Sequence, residues 1–424
     1  MQKSNQPRLD APPGGTAKLP AETDFSLQGE EFRDMAIINR IAEFHGEMTE
    51  WRRDIHTHPE TAFEEERTSE FVAKKLAEFG IEVHRGLAKT GVVGTLRGRK
   101  GDRAIGLRAD LDALHIHEQN GFSHKSQNQG RMHACGHDGH TVMLLGAAKY
   151  LAETKNFDGT VHFIFQPAEE NEGGGRVMVE EGLFDKFPVE SVYGLHNWPG
   201  MPVGSFGIRP GPQMTAYDIF EIVVTGKGAH GAMPHQGIDP VVVASQMVTA
   251  FQTIVSRNTH PLDAGVISVT QIHGGDTWNV IPEQVTLRGT TRSFKPEVQD
   301  RIEENMKRIA EGICAAMGAT MSWRYERRYP STINTEKEAA MAARVAGDVV
   351  GAKNVVLDPT PSMGSEDFAF LLQAKPGAYI WMGNGPDTNN RRLHSPHYDF
   401  NDEALPVGAS YWARLAETIL AKAG

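Results

Sequence analysis

The apolar residues of this chain recur with helical spacing in some segments and form short strand-like runs in others. Helical spacing extends from Met35 to about Arg53, and a second helix is predicted from Glu65 to about Phe79, ending at Gly80. Five strands and three helices are predicted further along: the strands Val92–Leu96, Ala104–Leu107, Val161–Phe165, Val192–Leu195 and Tyr379–Met382, and the helices Thr141–Leu151, Glu336–Val350 and Pro406–Lys422. Because strands alternate with helices, the pattern predicts an α/β fold with a mostly parallel sheet.

The pattern changes between residues 213 and 325. There the predicted elements follow the order β-α-β-β-α-β: Asp218–Val224, Asp239–Ser256, Ala264–Gln271, Val285–Ser293, Pro296–Met317 and Thr320–Tyr325. This order is ferredoxin-like. We therefore expect residues 213–325 to form a domain inserted into a larger domain of residues 35–212 and 326–424. Residues 1–34, rich in Pro, Gly and Ala, are expected to form a mobile N-terminal arm.

Composition narrows the classes of function. Acidic residues outnumber basic ones by 54 to 43, giving a formal charge of −11, which argues against nucleic acid or a membrane surface as partner. We expect no membrane helix, because no apolar run approaches roughly 18 residues. We expect no secretory signal, because the first stretch of the chain lacks an apolar h-region. The two cysteines, Cys135 and Cys314, cannot form a disulfide framework, so we expect a reducing, cytoplasmic setting. Cys314 is expected to be a buried apolar residue of a helix.

The 18 histidines concentrate partly in HACGHDGH, residues 133–140. Cys135 and His137 stand two residues apart in a glycine-containing loop, so a thiolate and an imidazole can converge on one ion. The alternative is a polar loop that caps the following helix, with Asp138 as the cap.

A second cluster, QPAEENEGGG at residues 166–175, directly follows a predicted strand. Adjacent carboxylates on extended chain point in opposite directions. One of Glu169 and Glu170 can therefore ligate a cation while the other faces water as a general base. Taken alone, a solvated acidic turn before a glycine loop is an equally good interpretation.

Two further histidines, His196 in LHNWP and His394 in LHSPHYD, also follow predicted strands. A lone histidine in such a place is more often structural than a ligand. Together, however, the four clusters supply five candidate ligands: Cys135, His137, Glu170, His196 and His394. Five ligands are too many for one tetrahedral zinc site with an open position, and they suit two metals that share a bridging ligand and a bridging water.

Eight motifs in collinear order carry a family resemblance. They are RADLDAL (108–114), MHACGHDGH (132–140), QPAEENEGGG (166–175), LHNWP (195–199), GKGAHGAMPH (226–235), NVIPE (279–283), GSEDF (364–368) and LHSPHYDF (393–400). From about Ile37 onward the chain resembles the dinuclear-metal amidohydrolases. Within the aminoacylase and zinc carboxypeptidase superfamily, it is similar to the branch of hippurate hydrolases, N-acyl-amino-acid aminoacylases and indole-acetyl-amino-acid hydrolases.

The resemblance implies a role for each candidate residue. Cys135 would be the bridging metal ligand, and His137, Glu170, His196 and His394 would complete the two coordination spheres.

Four more residues take roles from the same resemblance. Glu169 would be the general base. His230 would reach from the lid of a partner subunit into the neighbouring active site and help to hold the oxyanion. Asn279 and Arg292 match lid positions that bind the carboxylate end of the substrate in relatives.

The implied activity is metal-dependent hydrolysis of the amide bond of N-acyl amino acids. It implies two divalent ions per subunit (zinc, manganese or cobalt), a small-molecule substrate, and a homodimer or higher homo-oligomer formed through the lid. A metallocarboxypeptidase or dipeptidase, or an N-acetyl-diamino-acid deacetylase, of the same superfamily is the alternative. A non-catalytic metal-binding protein is disfavoured because Glu169 is present. His115 and His117 are not expected to be ligands, since the five-ligand set is already complete.

Overall fold

Eleven α-helices and sixteen strands make up the part of the chain that the computed structural model describes, residues 35–388 and 391–422. The helices are α1 (Asn39–Glu43), α2 (His45–Thr57), α3 (Glu66–Glu78), α4 (His137–Thr154), α5 (Gly174–Glu180), α6 (Leu183–Lys186), α7 (Pro240–Thr253), α8 (Pro296–Met317), α9 (Glu336–Val350), α10 (Phe368–Ala374) and α11 (Leu405–Ile419). The predicted N-terminal arm lies outside the described residues.

Strands β1 to β16 are numbered in chain order. They are β1 (Glu82–Leu87), β2 (Gly91–Arg97), β3 (Ala104–Asp110), β4 (Thr160–Gln166), β5 (Ser191–Trp198), β6 (Phe206–Ile208), β7 (Gly211–Met214), β8 (Ala216–Thr225), β9 (Ala229–His230), β10 (Gly265–His273), β11 (Val280–Ile281), β12 (Gln284–Ser293), β13 (Thr320–Tyr329), β14 (Thr332–Asn334), β15 (Val355–Leu357) and β16 (Gly377–Gly383).

The larger sheet has eight strands in the order β1-β2-β4-β3-β5-β16-β6-β15. Its centre, β4-β3-β5-β16, is parallel. These four strands are buried along nearly their whole length, as expected where helices cover both faces of a parallel sheet. Helix α4 packs against α2 and α11 on one side. The predicted α/β fold with a mostly parallel sheet is confirmed.

A second, antiparallel sheet has the strand order β10-β12-β8-β13. Helices α7 and α8 cover one of its faces and enclose a separate apolar core. Alternate residues of β8 are therefore buried. Asp239 caps α7 by accepting a hydrogen bond from the Val241 N–H (2.9 Å), with Pro240 in the first turn.

We call residues 216–329, which carry this second sheet, the inserted unit. The predicted order β-α-β-β-α-β is confirmed, whereas the domain boundaries at residues 213 and 325 stay a prediction. Strand β13 runs four residues beyond the predicted strand end, to Tyr329. Strands β9 and β11 pair with each other alone, placing His230 opposite Val280. We call this pair of strands the ribbon.

Two of the predicted helices begin elsewhere. The chain before α1 is extended, and the Ala36 N–H donates to the Val349 carbonyl at the end of α9 (2.7 Å). Helix α4 begins at His137, four residues before the predicted start, with Gly136 in the N-cap position at φ +94°. None of the helices in the described part of the chain combines the length and the apolar character needed to cross a bilayer.

Candidate active site and metal centre

The five candidate ligands meet at the carboxyl ends of the parallel strands. Glu170 lies four residues beyond β4, His196 lies near the end of β5, and His394 lies in the loop that follows β16. Cys135 and His137 lie at the start of α4, which follows β3. Ligand sites in open α/β sheets form at this edge because the loops after neighbouring strands converge there.

The sulfur of Cys135 lies between two groups of candidate ligands. Ligand atoms of Cys135, His137 and His196 all lie within 4.8 Å of one another, and so do those of Cys135, Glu170 and His394. Cys135 Sγ is 3.3 Å from His196 Nε2, and His394 Nε2 is 3.2 Å from Glu170 Oε1. A thiolate shared by two ligand groups suits a pair of cations rather than one.

Hydrogen bonds orient two of the imidazoles toward the centre. His137 Nδ1–H donates to the Asp112 carbonyl (2.9 Å), and His196 Nδ1–H donates to the Asn197 carbonyl (2.6 Å). His137 Nε2 is buried without a hydrogen-bond partner. Because a buried imidazole nitrogen normally has a partner, this orphaned atom fits a metal ligand.

The interpretation of Asp138 as a helix cap is wrong. Its carboxylate lies inside the first turn of α4 and makes no capping bond. Instead Asp138 Oδ2 pairs with His56 Nδ1 at 2.8 Å, beneath the centre.

Glu169 occupies a different environment from Glu170. Glu169 is buried, and its Oε1 accepts a hydrogen bond from the Asp367 N–H (3.3 Å). Burial, and then the carboxylates of Glu366 and Glu170, raise the pKa of Glu169 well above its ordinary value. A carboxyl group with a raised pKa can accept a proton and return it, which is the behaviour of a general base.

Burial also raises the pKa of the Cys135 thiol, and the carboxylates of Glu170 and Glu169 add to this effect. A bound cation acts in the opposite direction, because it stabilises the thiolate. The residues therefore fit a metal centre, because bound cations would offset the negative charge that the thiolate and the two carboxylates bring together.

Three other acidic groups near the centre, Asp110, Glu366 and Asp367, already pair with the buried Arg108. Asp110 bonds to His140 Nδ1 and to Arg108 (both 2.6 Å). The buried Arg108 also bonds to Glu366 (2.9 Å) and Asp367 (3.0 Å). These ion pairs fix the residues around the site. Because the three carboxylates are already paired, the five predicted ligands remain as the groups available to bind cations.

Sequence reasoning did not assign these supporting residues. Asp112 is the main omission, since its two carboxylate oxygens accept hydrogen bonds from the Glu169 N–H (3.0 Å) and the Glu170 N–H (2.9 Å). Glu65 is another, because Oε1 accepts from the Ala168 N–H (2.9 Å). Asp112 belongs to the RADLDAL motif, so the sequence pointed to the residue but not to its role of holding the backbone of Glu169 and Glu170.

A cleft of about 460 Å³ opens above the centre. Cys135, Glu169, Glu170, His196 and His394 line its floor, and Arg292 lines it from the inserted unit. Apolar side chains supply much of the remaining wall: Leu114, Trp198, Met214 and Leu393. Such a cleft can hold a small molecule with one apolar part and one anionic part.

The structure does not bring every predicted residue into this cleft. His230 and Asn279 are exposed on and beside the ribbon and are absent from the cleft lining. His115 and His117 join none of the candidate ligand groups found among the described residues.

Comparison with known proteins agrees with this geometry. The sequence profile described as "Peptidase family M20/M25/M40" matches residues 106–418, which is well over half of the chain. The chain belongs to the M20/M25/M40 peptidase family. It is 41% identical to hippurate hydrolase of Campylobacter jejuni over 382 residues, covering 90% of this chain and 99% of that protein.

Two further proteins are similar to this chain over a comparable length. N-acetylcysteine deacetylase of Bacillus subtilis is 40% identical over 380 residues, covering 89% of this chain and 98% of that protein. A crystal structure described as a dinuclear metal-binding peptidase of the M20 family, also from Bacillus subtilis, superposes with a TM-score of 0.79. It is 36% identical, and the match covers 89% of this chain and 99% of that one. The predicted family resemblance is confirmed.

Proposed function

We propose that this M20-family protein hydrolyses the amide bond of N-acyl amino acids, releasing a carboxylic acid and a free amino acid. The observation that carries the proposal is the convergence of two ligand groups on Cys135 beside the buried carboxyl of Glu169. The names of the relatives, a hippurate hydrolase and an N-acetylcysteine deacetylase, support the same class of substrate.

Two divalent cations per subunit would be held by the five predicted ligands, with Cys135 shared between them. Thiolate and imidazole suit zinc, while carboxylate also accepts manganese or cobalt. When bound, such cations polarise the acyl carbonyl and lower the pKa of the attacking water.

Glu169 takes the proton of the attacking water and later gives it to the nitrogen of the leaving amino acid. This two-way use follows from its raised pKa and from its place in the floor of the cleft. Glu170 is held close to His394 and acts as a ligand instead.

Arg292 is the candidate partner for the free carboxylate of the substrate. It lines the cleft and has no acidic partner among the ion pairs of the described residues. A half-buried guanidinium without a counter-ion favours an anionic ligand. Asn279 is proposed to assist at this end of the substrate, contributed from the ribbon of a second subunit.

His230 is proposed to act in the active site of a partner subunit, within a homodimer formed through the inserted unit. Apolar side chains are exposed on and beside the ribbon: Val280 is about half exposed, and Trp278, just before β11, is fully exposed. Exposed apolar groups grouped around one polar side chain are typical of an interface. A cytoplasmic location is part of the proposal, since both cysteines are free thiols.

The test is turnover of N-acetyl, N-benzoyl and long-chain N-acyl amino acids, with dipeptides as the competing class, after loading with zinc, manganese or cobalt. Release of amino acid from N-acyl substrates and not from dipeptides is expected. Preference for dipeptides would overturn the proposal in favour of a dipeptidase.

Substitutions at the two adjacent residues Glu169 and Glu170 test which of them is the general base and which is a metal ligand. Glu169→Gln should retain both metals by elemental analysis while kcat falls at least a hundredfold, because general-base catalysis contributes roughly that much. Glu170→Gln should lose metal. Full activity in Glu169→Gln, or a fully loaded Glu170→Gln, would contradict the division of roles.

A further inference from the structure

Three side chains stand side by side across the inserted unit at the end of its sheet nearest the cleft. In the central strand β8, Tyr217 lies opposite Arg292 of β12 on one side and opposite Tyr329 of β13 on the other. The register of β13 shifts between Arg327 and Tyr329. Since such an irregularity changes the direction of the side chains beyond it, the shift sets Tyr329 opposite Tyr217.

The three side chains are in contact as well as in register. The Arg292 guanidinium carbon lies 4.2 Å from the centre of the Tyr217 ring. The Tyr217 and Tyr329 rings meet edge to face, with centroids 6.0 Å apart and an interplanar angle of 87°. Cation–π and edge-to-face contacts both depend on orientation. A shift of Arg292 therefore changes the environment of both rings.

At the other end of this row, the buried hydroxyl of Tyr329 holds the loop that carries Glu169. It donates a hydrogen bond to the Glu169 carbonyl and accepts one from the Gly173 N–H (3.1 Å). Between these two residues Asn171 has φ +70°, and Ala168 just before Glu169 has φ +54°. Asparagine adopts such an angle readily, whereas alanine rarely does, so the hydroxyl holds a loop that is strained at Ala168.

We propose that Tyr329 is a positioning residue that couples occupation of Arg292 to the placement of Glu169. An anion on Arg292 fixes the guanidinium, the Tyr217 ring transmits its position, and the Tyr329 hydroxyl sets the peptide of Glu169. The inference rests on the proposed function, because it takes Arg292 as the group that binds the substrate carboxylate.

The test is a double-mutant cycle of Arg292→Gln and Tyr329→Phe in the metal-loaded protein, with N-benzoylglycine as substrate. Tyr329→Phe alone should lower kcat on the order of tenfold with little change in KM, since small misplacements of a catalytic group have effects of this size. In the Arg292→Gln background the same substitution should change kcat by less than about twofold, because coupled residues are not additive.

A second substrate separates coupling from general damage. N-benzoylglycinamide lacks the carboxylate, so Tyr329→Phe should lower its turnover much less than that of N-benzoylglycine. Tyr217→Leu interrupts the row at its centre and should reproduce this difference between the substrates.

Tyr325→Phe is the matched control. It removes another tyrosine hydroxyl from β13, a partly buried one that bonds to Asp218 (2.8 Å) and Thr291 (2.7 Å) inside the inserted unit. It should lower the unfolding temperature without changing kcat for either substrate.

The outcomes distinguish a failure of the carboxylate site at Arg292 from a failure of the coupling through Tyr329. If Arg292→Gln slows the acid and the amide equally, the carboxylate site of the proposed function fails. If Arg292→Gln discriminates but Tyr329→Phe is additive with it, or slows both substrates equally, the coupling through Tyr329 is wrong while the proposed function stands.

Discussion

At the scale of single residues, one carboxylate fixes the backbone of both acidic residues of the centre. The side chain of Asp112 accepts the N–H groups of Glu169 and Glu170, and its own carbonyl accepts the Nδ1–H of His137. The positions of these three residues therefore depend on Asp112, although Asp112 itself does not line the cleft. A buried N–H that loses its acceptor costs about 1–3 kcal/mol.

We predict that Asp112→Ala lowers metal affinity and kcat together. Two buried N–H groups would lose their acceptor, so the placement of Glu169 as base and of Glu170 as ligand would suffer at once. The measurement is metal content by elemental analysis after dialysis, combined with kcat at saturating metal. Asp102→Asn, at an exposed position before β3, is the control and should match the wild type. Loss of kcat with unchanged metal affinity would contradict the shared role.

The sequence reveals those site residues whose side-chain type itself indicates a role. Cys135, His137 and Glu170 were found because their residue types carry ligand chemistry in compact motifs. Asp112, Glu65 and Tyr329 were not, since their roles depend on which backbone group lies opposite them. That information arises only when β3, β4 and β13 are brought together by folding.

At the scale of elements, buried ion pairs hold α2 against α4 beneath the centre. Arg52 and His56 lie one turn apart on α2, and both are fully buried. Arg52 bonds to Asp402 (2.7 Å) and Asp399 (2.9 Å) in the chain beyond His394. His56 bonds to Asp138 of α4. Because one partner of a buried ion pair is costly to remove, these contacts fix α2 against two segments that carry candidate ligands, the start of α4 with His137 and the chain that follows His394.

We predict that this arrangement gives stability a defined pH dependence. Burial alone would lower the pKa of His56, but its bonds to Asp138 and Glu118 raise the pKa to about 9. Since the ordinary value is about 6.5, the stabilisation is complete below about pH 6.5 and is lost as the pH rises through about 9.

The measurement is the urea-unfolding midpoint of the wild type and of His56→Gln between pH 6 and pH 10. The wild type should be more stable at pH 6, by roughly 3 kcal/mol at most, and the difference should shrink as the pH approaches 10. His58→Gln, at a partly exposed histidine in the same segment, is the matched control. A difference that stays constant across this range would contradict the assignment.

At the scale of the whole molecule, the mostly parallel character of the larger sheet could be predicted from the alternation of strands and helices, whereas the order of its strands and its shortest strands could not. Strands β6, β7, β14 and β15 have only three or four residues each, and such segments carry too few positions for a period to emerge. The same limit applies to the two strands of the ribbon, which have only two residues each. His230 lies in one of them and is absent from the lining of the cleft in its own chain. In the proposed homodimer, the place of His230 would be a property of the assembly and not of the single chain.

The proposed homodimer makes a quantitative prediction about mixed subunits. Glu169→Gln and His230→Ala should each be nearly inactive alone. A hybrid dimer contains one intact site, in which the His230→Ala subunit keeps Glu169 and receives His230 from its partner. With free subunit exchange at equal amounts, half of the dimers are hybrids with one of two sites intact, so about a quarter of wild-type activity should return. The double variant Glu169→Gln/His230→Ala should restore nothing to Glu169→Gln. Light scattering that shows only monomer, or absence of recovery after verified exchange, would contradict a histidine acting across the interface.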